Sequence, residues 1–256
     1  MKHLLTVCAA AFVSIFLACG ARGADAPSQD QIAEGQKLVQ ALRATRPEGN
    51  SEIRGTLIIS HDGKKRVPVV CKVVVQGDTW QTFYDSKAGD GIPAERLIIT
   101  HTVSAPNKYL YARAPSVDAS VPEPKPIPAE QANIPFAHSD FWLTDLGTEF
   151  IFWPQQARLK GELRLGRDCY LLESINPTAP EIKRIKSFID KESVEQGFAG
   201  ILVAEGYDAN SKLVKEFSLH GSSFKKVNGQ WQLEKMTIDN KRLRSQTQLK
   251  FDLPKE

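Results

Sequence analysis

Two hydrophobic periods divide the chain. Near the N-terminus Ile32, Leu38, Val39 and Leu42 fall on one side at helical spacing, and Pro47 and Gly49 stop the pattern. Ser28 followed by Gln31 has the form of a capping box, so the spacing predicts an amphipathic helix over residues 28–43. From Glu52 onward β-branched runs alternate with tight turns: 53–60, Asp62-Gly63, 67–76, Gly77-Asp78, then 79–85. That order predicts an antiparallel meander, continued by 97–102 and 109–113 around the turn Ala105-Pro106-Asn107-Lys108.

A second set of strands is predicted at 157–165, 169–174, 183–190, 201–207, 212–220, 231–239 and 242–253, with turns at Gly166-Arg167-Asp168, Asp208-Ala209-Asn210-Ser211 and Val227-Asn228-Gly229-Gln230. The last alternates cleanly, Leu249, Phe251 and Leu253 against Gln248, Lys250 and Asp252, and Leu213, Phe217 and Leu219 alternate with Glu216, Ser218 and His220. Such strands give a sheet with one apolar and one wet face. About ten antiparallel strands are too many to stay open and flat, so the sheet should curl, and its apolar concave face needs a cover. Two helical segments are available: the N-terminal one, and a short one over 140–146 with Ser139 or Asp140 as its cap and Gly147 as its stop. The fold class is mainly β (α+β), a large curved antiparallel sheet, or half-barrel, around a helical lid. Incomplete cover by two short helices is the physical argument for a cavity.

Between the two sets lie six prolines in residues 115–135, a density that excludes continuous helix and ladder hydrogen bonding. This stretch is predicted as a long exposed loop, a linker between halves of one sheet or a functional loop.

Lys2 precedes an apolar run over 4–18, followed by the small residues Gly20, Ala21, Gly23 and Ala24. This is the form of an export signal, cleaved after Gly23 or after Ala21, and the run is short for a transmembrane helix. Residues 1–23 are thus read as a signal peptide and 24–256 as a single domain in the periplasm. The rival is Phe16-Leu17-Ala18-Cys19, a lipobox-like sequence that would lipidate Cys19 and anchor the protein in the envelope. With the leader, Lys2 and Arg22 leave the net charge of +3, and a nearly balanced mature chain has no cationic excess for nucleic acid. Of the four cysteines only Cys71 and Cys169 remain in a soluble mature chain; a disulfide and two buried thiols both fit.

Catalytic signatures are missing. No Gly-x-Ser-x-Gly, His-Glu-x-x-His or Cys-x-x-Cys occurs, and Asp62-Gly63-Lys64-Lys65 lacks the remainder of a phosphate-binding loop. His61, His101, His138 and His220 stand singly, without metal-ligand spacing. His138-Ser139-Asp140 are adjacent in sequence, whereas a triad converges from separate segments. No cofactor is implied and the protein is read as a non-enzyme.

The motifs Pro135-Phe136-Ala137-His138-Ser139-Asp140-Phe141 with Asp145-Leu146, Cys169-Tyr170-Leu171-Leu172-Glu173, Ile189-Asp190-Lys191-Glu192, Gly206-Tyr207-Asp208 with Lys212-Leu213-Val214-Lys215, and Asn228-Gly229-Gln230-Trp231 with Lys235-Met236 follow one another in an order that resembles the LolA-like outer-membrane lipoprotein-sorting proteins. The resemblance covers roughly residues 50–253. It implies an exported protein whose curved sheet and helical lid enclose a cavity for acyl chains of lipoproteins or lipids. The chain departs from that pattern in the proline-rich stretch and in a charged insertion at 191–196. Candidate cavity or lid residues are Trp80, Phe83, Phe136, Phe141, Trp142 and Leu146, with Phe150, Phe152 and Trp153 beyond. The alternative is an envelope protein-interaction module or stress sensor with the same fold, a protein partner and no transported cargo.

Overall fold

The computed structural model describes residues 26–219, 223–227 and 230–254. The expected leader with Cys19, His220 and the Asn228-Gly229 pair of an expected turn lie outside these residues.

The leading helix α1 spans Gln29–Ala44. The predicted capping box is present: Gln31 N donates to Ser28 Oγ at 3.2 Å, and Ser28 N donates to Gln31 Oε1 at 2.8 Å. A five-strand meander follows, β1 Ser51–Ser60, β2 Lys64–Gln76, β3 Thr79–Ser86, β4 Glu95–Thr102 and β5 Lys108–Arg113. Its first two turns use left-handed backbone at Asp62, Gly63 and Gly77, the reason those positions carry turn residues. The proline-rich stretch departs from expectation, because Lys125–Ile127 forms β6 against β5, with Pro126 opposite Leu110. Proline is tolerated there because β6 is the edge of the sheet and needs no outward donor.

After the short helix α2, Leu143–Leu146, come β7 Gln155–Arg164, β8 Arg167–Ile175, β9 Arg184–Asp190, the helix α3 Lys191–Glu195, β10 Ile201–Tyr207 and β11 Leu213–Ser218. The charged insertion is therefore α3. The chain ends in β12 Phe224–Val227, β13 Gln230–Leu233, β14 Lys235–Asn240 and β15 Ser245–Phe251. The single strand expected over 231–239 breaks at Glu234, whose N–H donates to Ser223 O. Its first part pairs with β12 as a separate hairpin and its second joins the main sheet.

Thirteen strands form one antiparallel sheet in the order β6-β5-β4-β3-β2-β1-β15-β14-β11-β10-β9-β8-β7. β15 seams the two halves together by pairing with both β1 and β14, and the edges β6 and β7 are not paired with each other. The chain between those edges, residues 128–154, crosses the concave side and is the lid. There Phe136, Phe141 and Leu143 pack with Leu57, Val67, Leu97 and Ile99 in one buried cluster. α1 covers the other end: Leu38 and Val39 pack on Leu172 and Ile189. Gly35 lies so close to β7 that a Cβ would sit 2.7 Å from Ala157 Cα, a contact only glycine allows.

Candidate ligand cavity and its lid

The lid is held by four carboxylates, three of them buried and that of Asp145 half-buried, each tied to a different strand. Glu95 on β4 accepts from Ala137 N at 2.8 Å and from Arg113 Nε at 2.6 Å. Asp140 accepts from Ser245 Oγ at 2.6 Å and Thr247 Oγ1 at 2.9 Å on β15. Asp145 accepts from Lys215 Nζ of β11 at 2.6 Å and from Trp142 N at 2.8 Å. Glu149 accepts from Tyr109 Oη of β5 at 2.7 Å and Asn107 Nδ2 at 3.1 Å. These anchors sustain a strained path, with Ala137, His138 and Thr148 all at positive φ, a conformation that costs a non-glycine residue free energy unless its surroundings hold it.

The anchors correct the expected caps. Asp140 is committed to β15, and the first turn of α2 is instead closed by Asp145 bonding back to Trp142 N. His138 is exposed, while Ser139 Oγ accepts from Phe141 N at 3.2 Å, so His138-Ser139-Asp140 is a structural turn.

Burial sets the electrostatics. The Lys215 ammonium, 4% exposed, is held below its ordinary pKa by desolvation, opposed by Asp145, and lies 3.6 Å from the Trp142 ring centroid, a favourable cation–π placement. Glu149 is raised by burial, opposed by hydrogen bonds from Tyr109 and Asn107.

Beyond the packed cluster the concave side is hollow. An apolar cavity of about 300 Å³ lies between the end of α1 at Leu42, the lid at Phe150 and Ile151, and a floor that includes Ile185, Ala204, Gly206 and Phe217. The floor is low at Ala204, which presents a single methyl; Gly206, two residues on, makes room for Ile182, whose Cδ1 would lie 2.9 Å from a Cβ there. Phe150, Ile182 and Ile185 also line a neighbouring cavity of about 240 Å³, which extends to Trp142, Phe152 and Trp153. On the other side Leu42, Thr45, Thr148 and Ile151 are shared with a smaller space of about 180 Å³ that contains Arg43, Trp80, His101 and Leu146.

Six of the nine sequence-predicted residues therefore line these spaces: Trp80, Trp142, Leu146, Phe150, Phe152 and Trp153. Phe136 and Phe141 belong to the lid but are buried in the packed cluster. Phe83 is a correction. It pairs with Lys72 and Ile98 on the convex face, its ring 6.0 Å from Lys72 Nζ, because the strand alternates and Trp80, Thr82 and Tyr84 take the inner positions. Cys71 and Cys169 are both free and buried, in separate clusters on β2 and β8, so the disulfide alternative is also corrected; burial pushes the Cys71 thiol up to about 12. Sequence reasoning missed Lys215, Ile182, Ala204 and Gly206. The one signal for the floor was the small pair at alternate positions of 201–207.

Among the described residues no group of three His, Cys, Asp or Glu side chains is placed to hold a metal, and no helix is long and apolar enough to cross a membrane.

A large, unclosed, curved antiparallel sheet with few helices is the LolA-like architecture, and solved structures share this fold. A domain from Vibrio parahaemolyticus described as an outer membrane lipoprotein-sorting protein aligns with a TM-score of 0.67 at 19% identity over 87% of this chain and 92% of that one. A DUF1329 family protein from Desulfovibrio piger aligns with a TM-score of 0.64 at 16% identity, over 87% and 91%. A LolA superfamily protein from Nitrosomonas europaea aligns with a TM-score of 0.52 at 14% identity, over 86% and 94%. At these identities the likeness establishes the fold, and the LolA-like resemblance of the sequence holds at that level. A family model described as "-like: Uncharacterized protein" matches residues 97–255, more than half of the chain, and the chain belongs to that family. No curated protein matches it.

Proposed function

We infer that this protein is an exported, non-enzymatic carrier that takes the acyl chain of a lipid or lipoprotein into the cavity under its lid, in the manner of outer-membrane lipoprotein sorting. The observation that carries the reading is the apolar space between the lid at Phe150 and Ile151 and a floor that includes Ile185, Ala204 and Phe217. Its volume stands at the lower end of the roughly 300–1,000 Å³ of small-molecule sites. The adjoining space shares Phe150, Ile182 and Ile185 with it as walls. Acyl burial contributes about 0.8 kcal/mol per CH₂, with no covalent step, metal or cofactor required. The leader places such a carrier in the periplasm, or at the membrane surface if Cys19 is lipidated.

The test is native mass spectrometry of the protein purified from a bacterial envelope, beside Ala204→Trp, which fills the floor. The carrier reading expects collision to release acyl-containing species from the wild type and from none of the variant. A ligand-free wild type, also after incubation with palmitate, would sink the reading and leave the interaction module in its place.

A further inference from the structure

Among the cations near α1 and the lid, Lys215 and Arg158 have acidic partners. Lys215 is neutralised by Asp145 at 2.6 Å, and Arg158 faces Glu34 at 3.4 Å. Arg43, in the last turn of α1, has no carboxylate at ion-pair distance among the described residues. Its Nη2 donates to Ile151 O at 2.7 Å and its guanidinium lies 4.5 Å from the Phe152 ring centroid. Its Nε is buried and finds no acceptor.

The space that Arg43 borders differs in character from the acyl cavity. Its lining includes Thr82, His101 and Asn107 and no acidic residue. His101 stacks on Trp80 at 5.2 Å and hydrogen-bonds Thr82 Oγ1 at 3.1 Å, so ring and hydroxyl can each donate or accept. A partly buried guanidinium without an anion is an unfavourable arrangement, and its planar fork suits carboxylate or phosphate oxygens. Leu42, Thr45, Thr148 and Ile151 border this space on one side and the acyl cavity on the other.

We propose that Arg43, with Thr82 and His101, forms a headgroup subsite for the carboxylate or phosphate of an anionic amphiphile whose chain occupies the adjoining apolar cavity. The proposal rests on the carrier reading and adds to it the charge of the cargo. Bound this way, the ligand anion gives Arg43 Nε its missing acceptor while the chain runs past Ile151 toward Ala204.

The experiment is calorimetric titration of the delipidated protein with palmitate, hexadecyl phosphate, hexadecanol and inorganic phosphate. A charge-assisted pair predicts that palmitate and hexadecyl phosphate bind about tenfold or more tightly than hexadecanol. Arg43→Gln should bring both anions down to the level of hexadecanol and leave hexadecanol unchanged. Arg43→Lys, which keeps the charge, should retain part of the preference and shows that the fold survives the change. Equal binding of all three amphiphiles by the wild type would overturn the subsite and leave the carrier standing. Equal weakening of all three by Arg43→Gln would reduce Arg43 to a strut for the lid. Inorganic phosphate binding as tightly as hexadecyl phosphate would make the site one for a free anion, against the proposal, and no binding of any amphiphile would overturn both readings.

Discussion

From β1 to β5 and across β15, the concave face is packed apart from the small space at Trp80, Thr82 and His101: Leu57, Val67, Leu97, Ile99 and Leu249 meet Phe136, Phe141 and Leu143 of the lid. From β9 to β11 the same face borders the larger apolar cavity, with Ala204 beside Ile185 and Phe217 in its floor. The lid is one continuous segment over both halves, so the difference lies in what each half offers it. Where the strands supply large side chains the lid inserts rings and becomes core; where they supply small ones it is a roof. The packed half and the four carboxylate anchors thus fix the lid's position, and the space under its far end follows from that.

Truncation gives the largest expected effect on this contrast. Phe136→Ala, at 1% exposure in the packed half, should cost about 3–5 kcal/mol of stability in urea unfolding. Phe217→Ala should cost about 1–2 kcal/mol, because the ring borders the cavity and has already lost packing partners on that side. Equal costs would mean that the hollow half is packed in solution.

The anchors provide the next test. Asp145→Ala leaves the Lys215 ammonium buried beside an apolar cavity without its carboxylate, and should cost about 3 kcal/mol. Lys215→Met should cost only about 1 kcal/mol, because Asp145 is 24% exposed and keeps its bond from Trp142 N. The double variant should recover part of the Asp145→Ala loss, and a strictly additive double-mutant cycle would show that the pair does not act as one unit.

The contrast also separates what could be read in the sequence from what could not. α1 was legible because Ser28, Gln31, Leu38 and Val39 satisfy cap and period within one segment. The meander was legible because each strand is next to its partner in the chain. β6 was hidden by its prolines, since its pairing is a property of the sheet edge and not of the residues. The strand break at Glu234 depends on Ser223, eleven residues earlier, which captures its N–H. Most of the large rings around the cavities were found, because aromatic residues concentrate in the lid. Lys215 was not, since a lysine beside Phe217 reads as solvated until Asp145, 70 residues upstream, is known to face it. Phe83 failed for the opposite reason: residue type suggested the cavity, and strand parity, one position away from Tyr84, puts it outside.

A last expected effect concerns His101, on β4 beside the small space that Arg43 borders. Burial lowers its pKa from 6.5 to about 4, opposed by a hydrogen bond with Asn107. The unfolded chain therefore takes up a proton as pH falls through 6.5, while the folded chain refuses it until about pH 4. Over that window the unfolded state binds more protons, so stability must fall with falling pH. The full shift is discounted for partial access of solvent to the ring, which leaves about 2 kcal/mol. His101→Gln keeps a partner for Thr82 Oγ1 without a titrating proton. Its unfolding free energy, followed from pH 6.5 to 4, should decline by about 2 kcal/mol less than that of the wild type; parallel curves would mean that His101 is solvated and that the small space beside Arg43 is open to water.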